Sequence, residues 1–248
     1  MTTNSDTLRK LPAKQTAAFD TEYVDEAKWR MVTSCIEESF SSLSFNFLDV
    51  GGGNGRFCDR VLEAYPRSTA VLLDNSQHLL SRNTPHPRKA IAPHSVERID
   101  SLFSEKFDLI FFNWVLHHIV ADSYTTSRRA ISRTLERCAK HLRHGGRISI
   151  LENLYDGLLV DSLPSKLIYF LTSSRMLQPL TARFGANTAG VGVCFLSRIM
   201  WQKTIEGAGL KIARFSEDVR WSFPFYKRAL LHLGQIRVGH FWCRPPES

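Results

Sequence analysis

Short apolar runs alternate along the chain with longer segments in which apolar residues recur every three or four positions. The runs at 45–50, 70–73, 107–113 and 147–152 are nearly continuous, as in strands buried on both faces of a parallel sheet. The wider spacing over 25–40, 56–65, 127–142, 164–175 and 197–207 predicts amphipathic helices. Further strands are expected near 94–99, at 210–215 and at 238–243, and the last two pair antiparallel.

This alternation predicts an α/β fold. The expected architecture is a seven-stranded, mainly parallel, doubly wound sheet with helices on both faces and one antiparallel strand near an edge. A length of 248 residues suits one decorated domain better than two. The helix at 164–175 and the Gly/Ala-rich loop at 179–195 form an insertion after the fifth strand, beyond what a minimal fold needs.

The stretch at 45–57, FNFLDVGGGNGRF, combines a strand, a glycine-rich turn and the start of a helix. A phosphate-binding loop would need a Gly-Lys-Ser/Thr sequence, and no lysine is present. A dinucleotide fingerprint would need a small residue where Arg56 stands. The pattern instead has an acid, Asp49, followed by glycine at every second position (Gly51, Gly53, Gly55). It resembles motif I of the class I S-adenosylmethionine (SAM)-dependent methyltransferases, although a generic glycine-rich turn is the alternative.

A second acid, Asp74, ends the next apolar run, about 20 residues beyond the glycines, where a ribose-binding carboxylate belongs. The resemblance implies that Asp100 and Ser101 meet the adenine, with a solvent-facing loop acid as the alternative. It also puts Asn113 and Trp114 beside the methionine part of SAM. The full set of residues expected to bind SAM, or the product S-adenosylhomocysteine, is Tyr23, Asp49, Gly51, Gly53, Gly55, Asp74, Asn75, Asp100, Ser101, Asn113 and Trp114.

The resemblance continues through the segments FDLI…LHH and GG…I…E, so that it covers 45–153. It implies that His117 and His118 open a helix at the edge of the cleft and that Glu152 projects from the carboxyl edge of the sheet. These three residues are the catalytic candidates, because an imidazole or a carboxylate can hold or deprotonate a substrate. Alternatively, one histidine caps and packs the helix start, and Glu152 is a substrate anchor or a structural acid.

Four regions follow from these assignments: an N-terminal lid with the first helix at 1–41, a SAM-binding Rossmann-like core at 42–153, a substrate-lid insertion at 154–196 and the rest of the core sheet at 197–248. The two lids are implied by the family. Aromatic residues in these segments would suit a planar or apolar substrate. The expected substrate-binding residues are Phe19, Tyr155, Trp221 and Tyr226, whereas Trp29 fits the helix core equally well.

Charge and cysteine content limit the possible binding partners and the expected cellular location. The net charge is +8, but the basic residues form no long run, so nucleic acid is an unlikely partner. No membrane partner is expected, since no apolar stretch is long enough to span a bilayer. Five scattered cysteines without metal-ligand spacing predict reduced thiols, no metal site and a cytoplasmic protein.

The sequence therefore predicts a SAM-dependent methyltransferase of secondary metabolism that acts on a small, planar heteroaromatic molecule. Because no committed acid–base constellation is visible, N-methylation is favoured over O-methylation. The alternatives are an RNA- or protein-directed methyltransferase and a SAM-binding protein without methyl transfer. Against amino-directed nucleic-acid enzymes, NWVL stands at 113–116 where those enzymes carry an Asn-Pro-Pro-Tyr type motif.

Overall fold

The computed structural model describes residues 8–20, 24–219 and 223–246. Within these residues seven strands form a single sheet: β1 (Asn46–Val50), β2 (Thr69–Leu73), β3 (Lys89–Ala92), β4 (Phe107–Asn113), β5 (Leu142–Gly157), β6 (Lys211–Val219) and β7 (Leu233–Arg244). Their order is β3-β2-β1-β4-β5-β7-β6. Strand β7 runs antiparallel to both of its neighbours, and the other pairs are parallel. The predicted fold class is confirmed.

Helices cover both faces of this sheet. The α-helices of the described residues are α1 (Ala13–Thr16), α2 (Glu26–Ser39), α3 (Arg56–Ala64), α4 (Gln77–Leu80), α5 (Ile99–Leu102), α6 (Tyr124–Lys140), α7 (Leu163–Ser173), α8 (Gln178–Arg183), α9 (Arg198–Gly207) and α10 (Phe225–Leu230). Short 3-10 turns occupy Ala17–Phe19, Val96–Arg98 and Leu116–His118.

Side-chain caps explain where the long helices begin. The Asp25 carboxylate accepts the backbone N–H groups of Ala27 and Lys28 at the start of α2. Ser123 forms a reciprocal capping box with Thr126 at the start of α6. Such caps satisfy donors that the first helical turn leaves without partners.

The core consists of two layers separated by the sheet. On one face, Ile131 and Leu135 of α6 and Trp201 of α9 belong to a cluster with the strand residues Phe112 and Ile150. The opposite layer is built from α2 and α3, including Val32, Ile36 and Val61, packed on Phe47 and Phe111. Because the middle strands are covered on both faces, their sequences are nearly continuous in apolar residues.

Three element predictions were wrong in position. The third strand is Lys89–Ala92 rather than 94–99, which form a turn and a 3-10 segment. The helix expected at 127–142 is α6, which starts earlier because Ser123 caps it and ends before the glycine pair. The expected loop at 179–195 contains most of α8, for which a proline in the first turn is well suited.

The described residues contain no helix that is long and apolar enough to cross a membrane. They also contain no group of three metal-ligating side chains that could hold an ion. All five cysteines are buried free thiols.

A buried histidine makes the fold sensitive to acid. Burial, with the nearby Arg214 charge, lowers the pKa of His240 to about 3, and its Nε2 lies 2.9 Å from the Ser149 hydroxyl on the neighbouring strand. The pKa of this histidine is lower in the folded state than in the unfolded state. Its contribution to stability is therefore fully present at pH values above its ordinary pKa near 6.5 and is lost as the pH falls towards 3.

We expect His240→Gln to flatten the dependence of the unfolding free energy on pH between these limits. The slope should fall by up to about 1.4 kcal/mol per pH unit, the value for one proton. Urea titrations at several pH values measure it, and His144→Gln, at an exposed site, controls for the loss of a histidine as such. An unchanged slope for His240→Gln would contradict the assignment.

Candidate functional site

A single large cavity opens at the carboxyl edge of the parallel strands. The chain leaves β1 towards β2 on one side, while β4 and β5 lie on the other, so the strand order reverses between β1 and β4. Loops diverge at such a reversal and leave a crevice, which is where open α/β sheets bind ligands. The cavity measures about 1240 Å³ and extends from the glycine turn after β1 to the insertion after β5.

The glycine turn brings bare backbone to the cavity wall. Gly51 has φ of +71° and Gly53 has φ of +53°, a region that side-chain-bearing residues rarely adopt. The Gly51 N–H donates to the Leu73 carbonyl at the end of β2, at 2.7 Å. A Cβ atom at Gly51 would lie 2.3 Å from a Val115 methyl, and one at Gly52 would lie 2.6 Å from the buried Asp49 carboxylate.

Asp74 holds the glycine turn from the neighbouring strand. Its carboxylate accepts the Gly53 N–H at 3.0 Å and the Ser76 N–H at 2.7 Å. Burial raises the pKa of this carboxyl despite the two hydrogen bonds. The result is a partly desolvated acceptor at the cavity wall, close to the backbone of Gly53.

Gly55, also expected to bind SAM, lies behind the glycine turn. It does not line the cavity but starts α3 with φ of +79°. A Cβ atom there would lie 2.0 Å from the Asn83 amide oxygen, and the amide nitrogen of Asn83 donates to the Gly53 carbonyl at 2.8 Å. Gly55 therefore fixes the turn from behind, outside the cavity wall.

The segment after β4 forms the next part of the wall. Both amide atoms of the Asn113 side chain are buried and make no hydrogen bond within the described residues, although the residue lines the cavity. Trp114 adopts φ of +52°, and its indole N–H donates to the Asn153 side chain at 3.0 Å. Unmatched polar atoms and a strained backbone at one place are common in binding sites.

His117 and Glu152 form a buried pair below the cavity. Glu152 is fully buried. One carboxylate oxygen accepts the backbone N–H groups of Leu116 and His117, and the other lies 2.6 Å from His117 Nδ1. In this pair Nδ1 donates to the carboxylate, and Nε2 takes no part in it. His117 lines the cavity and Glu152 does not, so Glu152 is a positioning residue for His117.

His118 faces the same cavity as a neutral ring. Burial lowers its pKa well below the ordinary value, and the adjacent His117 adds to the effect. Its ring packs edge-on against Phe19 of the N-terminal segment, with centroids 5.0 Å apart. Both histidines belong to the 3-10 turn Leu116–His118 rather than to the start of a helix, which corrects the predicted placement.

Aromatic side chains enclose the half of the cavity beyond His117. Tyr155 and Phe195 stack with centroids 4.5 Å apart and planes 10° apart, and the His117 ring lies 4.6 Å from Phe195. Phe223 approaches Tyr155 from the segment before α10, at 6.5 Å between centroids. The remaining apolar lining comes from the insertion, including Ile168 and Val193.

The N-terminal segment closes part of the cavity and is held at both ends. The Arg9 guanidinium donates to the carbonyls of Ser173 and Val191 in the insertion, each at 3.2 Å. At the other end, the Asp20 carboxylate accepts the Asn54 amide beside the glycine turn at 2.9 Å. The segment thus connects the two halves of the site.

The structure brings most of the sequence-predicted site residues together and separates four. Those that line the cavity are Phe19, Asp49, Gly51, Gly53, Asp74, Asn75, Asn113, Trp114, His117, His118, Tyr155 and Tyr226. Gly55, Asp100, Ser101 and Glu152 do not line it. Tyr23 and Trp221 lie outside the described residues.

Asp100 does not lie at the cavity wall, because the third strand ends earlier in the chain than predicted. It sits in α5, where its carboxylate lies 3.1 Å from His141 Nε2. The cavity wall next to β3 is built instead by 94–97, which the sequence analysis assigned to the strand itself. Ser101 belongs to the same short helix and donates to the Arg98 carbonyl at 2.8 Å.

Lys28 is a cavity residue that sequence reasoning missed. It lies on α2, its side chain is only 8% exposed, and its ammonium group pairs with Asp25. A lysine in an amphipathic helix ordinarily indicates the solvated face, so only its position next to the apolar stripe could have signalled burial. Phe195 and Phe223 were missed for another reason, since loop aromatics carry no periodicity.

Comparisons with known proteins agree with this geometry. A family model described as a methyltransferase domain matches residues 48–148. The N-terminal Xaa-Pro-Lys N-methyltransferase 1 of Danio rerio is 29% identical over 151 residues, which are 56% of this chain and 60% of that protein. A SAM-dependent methyltransferase from Leishmania major has a TM-score of 0.62 at 16% identity, over 95% of this chain and 79% of that one. CalO1, a methyltransferase in calicheamicin biosynthesis, has a TM-score of 0.51 at 19% identity, over 93% and 60%.

The fold is that of the class I Rossmann-like SAM-dependent methyltransferases. The match to a methyltransferase-domain model is confined to residues 48–148 and agrees with the predicted family. The chain covers 60% of the length of its curated relative.

We expect Gly51→Ala to destabilise the protein more than Gly145→Ala. Both glycines have similar positive φ values, +71° and +78°, but a Cβ atom at Gly51 meets Val115 whereas none of the described residues approaches Gly145 within 4 Å. Backbone strain costs each variant about 1–2 kcal/mol, and overpacking adds about 1–3 kcal/mol at Gly51 only. If both variants lose the same free energy of unfolding in denaturant titrations, Val115 moves aside and its contact with residue 51 does not constrain the turn.

Proposed function

We propose that this protein transfers a methyl group from SAM to a small, largely apolar acceptor molecule. The observation that carries the proposal is one continuous cavity with two chemically different halves, which meet at His117. One half is a polar cradle around the glycine turn, and the other is an aromatic chamber. Its volume exceeds the range usual for one small ligand, which supports simultaneous binding of cofactor and acceptor.

The residues of the polar half fit SAM. Gly51 and Gly53 bring backbone to the cavity wall, where a ligand can contact it, and Asp74 would accept hydrogen bonds from ribose hydroxyls. The unmatched amide of Asn113 offers a donor and an acceptor to the amino acid part of the cofactor, and Lys28 supplies a cation for its carboxylate. Asp49 and Asn75 complete this wall.

Bound SAM would supply a methyl group already activated by its positive sulfur. The protein therefore has to align the reactants and exclude water. The aromatic walls around Tyr155 and Phe195 orient a flat acceptor. The N-terminal segment, anchored through Arg9 and Asp20, keeps water out. Neutral His118 adds no positive charge to a half that has to accommodate a cation.

The His117–Glu152 pair bears on the type of acceptor that we propose. N-methylation was expected because no committed acid–base group was visible in the sequence. His117 lines the cavity, however, and Glu152 binds its ring through Nδ1, so Nε2 is the nitrogen left to contact an acceptor. This arrangement suits an acceptor that loses a proton as it is methylated, such as a hydroxyl or a ring N–H. A tertiary nitrogen with a free lone pair would make no use of it.

A small substrate of secondary metabolism accords best with the chamber. The neighbour CalO1 acts in calicheamicin biosynthesis, and the chamber here is lined by aromatic and aliphatic side chains. A protein N-terminus is the second candidate, because a relative is an N-terminal Xaa-Pro-Lys N-methyltransferase. Arg9 and Lys227 on the insertion side repel the protonated amine and the lysine of such a peptide, which favours the small molecule.

Replacing Asp74 by Asn should weaken SAM binding about ten- to a hundredfold, because the amide loses the charge and one acceptor position. Isothermal calorimetry measures this change. Asp100→Asn is the matched control, since that acid was expected to meet the adenine but lies outside the cavity. If both variants bind SAM like the wild type, the cradle is not the cofactor site.

Turnover tests the proposal itself. Release of S-adenosylhomocysteine is measured with planar phenols, N–H heterocycles, tertiary heteroaromatic amines and an Xaa-Pro-Lys peptide. We expect release with the first two classes. Release with the peptide alone would replace the proposed substrate class, and SAM binding without release from any acceptor would contradict methyl transfer.

His117→Ala should then lower the rate of the chemical step by about 10²–10⁴ while SAM affinity stays intact. Glu152→Gln keeps the shape of the pair but removes its charge, so it should also lower the rate of this step. Single-turnover kinetics at saturating acceptor measure both effects, with the exposed His144→Ala as control. If the rate of the chemical step falls only a few-fold, the acceptor is instead a nitrogen that needs no base.

A further inference from the structure

Large apolar side chains are exposed around the entrance of the cavity. Leu180 and Phe184 of α8 and Leu230 of α10 line the cavity and are also 51%, 60% and 73% exposed. Leu159, before α7, and Phe225, at the start of α10, are 85% and 86% exposed. These five residues are called the mouth patch below. Such a concentration of exposed apolar side chains is unusual for a surface that faces only water.

Hydrogen bonds join the three segments of the mouth patch. The Lys227 ammonium of α10 donates to the Phe184 carbonyl at the end of α8, at 3.3 Å. The Leu159 N–H donates to the imidazole of His232, just after α10, at 2.9 Å. The segments therefore form one surface, and the apolar lining of the cavity continues onto it.

The same surface concentrates positive charge. Four basic residues lie in or next to α8 and α10, and the sequence has no acid in 162–205 or in 219–246. Arg175 and Arg183 border α8, and Lys227 and Arg228 lie within α10. Positive charge therefore accompanies the exposed apolar side chains at this end of the cavity.

We propose that the mouth patch docks onto the surface of an anionic lipid bilayer, with the cavity entrance facing the lipid. Aliphatic and aromatic side chains mixed with lysine and arginine are the composition of segments that lie in a membrane interface. The apolar groups enter the headgroup boundary, while the cations attract the anionic headgroups. This mode needs no spanning helix, so the lack of one among the described residues does not bear on it.

Charge argues against the other occupants. In a twofold dimer through this surface, the arginines and lysines of one copy would face those of the other, which is repulsive. A nucleic acid would use the cations but not the exposed leucines, which provide neither charge nor stacking. A bilayer satisfies both features of the patch. The inference depends on this surface alone and holds whether or not the protein transfers methyl groups.

Co-sedimentation of the full chain with vesicles tests the proposal. We expect binding to vesicles of phosphatidylcholine with phosphatidylglycerol, little binding to phosphatidylcholine alone, and release by added salt. The pair Leu159→Ser and Phe225→Ser should lower the partition coefficient about tenfold or more. The pair Arg175→Gln and Arg183→Gln should lower it about fivefold per charge.

Matched controls are Ile199→Ser, an exposed apolar residue of α9, and Arg129→Gln, an exposed arginine of α6, which should bind like the wild type. The four residues substituted in these pairs do not line the cavity, so calorimetric SAM affinity identifies a misfolded variant. Equal binding to both vesicle types, or equal loss in patch and control variants, would overturn the proposal. So would light scattering that shows a dimer broken by the patch substitutions, or salt-sensitive binding to RNA without vesicle binding.

Discussion

The buried Glu152 carboxylate is the constraint on which the shape of the site depends. Removing an ionised carboxylate from water costs several kcal/mol or more unless partners replace the lost hydration. Here the backbone N–H groups of Leu116 and His117 and the His117 ring supply three hydrogen bonds. All three donors belong to the turn after β4, whereas the acid belongs to β5. The pairing therefore holds that turn against the sheet and brings His117 to the cavity wall.

Asp74 acts in the same way on the other side of the crevice. It extends from the end of β2 and accepts N–H groups from the glycine turn after β1 and from the start of α4. In both cases an acid at the end of one strand fixes the loop that follows a neighbouring strand. The difference is exposure to the cavity: Asp74 lines it and Glu152 does not. The first acid can therefore bind a ligand directly, and the second acts through His117.

Features that depend on local interactions were predicted from the sequence, whereas features that depend on contacts distant along the chain were not. Strands β1, β2 and β4 and the glycine turn were predicted well, because their apolar runs and turn residues are local signals. The third strand was misplaced, since Lys89–Ala92 is a short edge strand whose residues are exposed or half-buried and whose apolar run is only three residues long. The role of Glu152 could not be predicted, because its partners lie 35 and 36 residues away along the chain. Gly55 matched the motif but is required by Asn83, which only the folded turn brings near.

Charge differs between the two ends of the cavity, and this difference bears on which molecules can enter. Asp49 and Asp74 lie at the glycine turn, while Arg9 and Lys227 are fixed to carbonyl groups of the insertion. A cationic ligand is stabilised at the first end and repelled at the second. Under the proposed function, the sulfonium cofactor would occupy the acidic end, and the acceptor would enter past the cations. Because the walls between the two ends are apolar, neutral or anionic aromatic compounds are best suited to that route. A hydroxyl acceptor is neutral before it is methylated and anionic once it has lost its proton, so it fits this description.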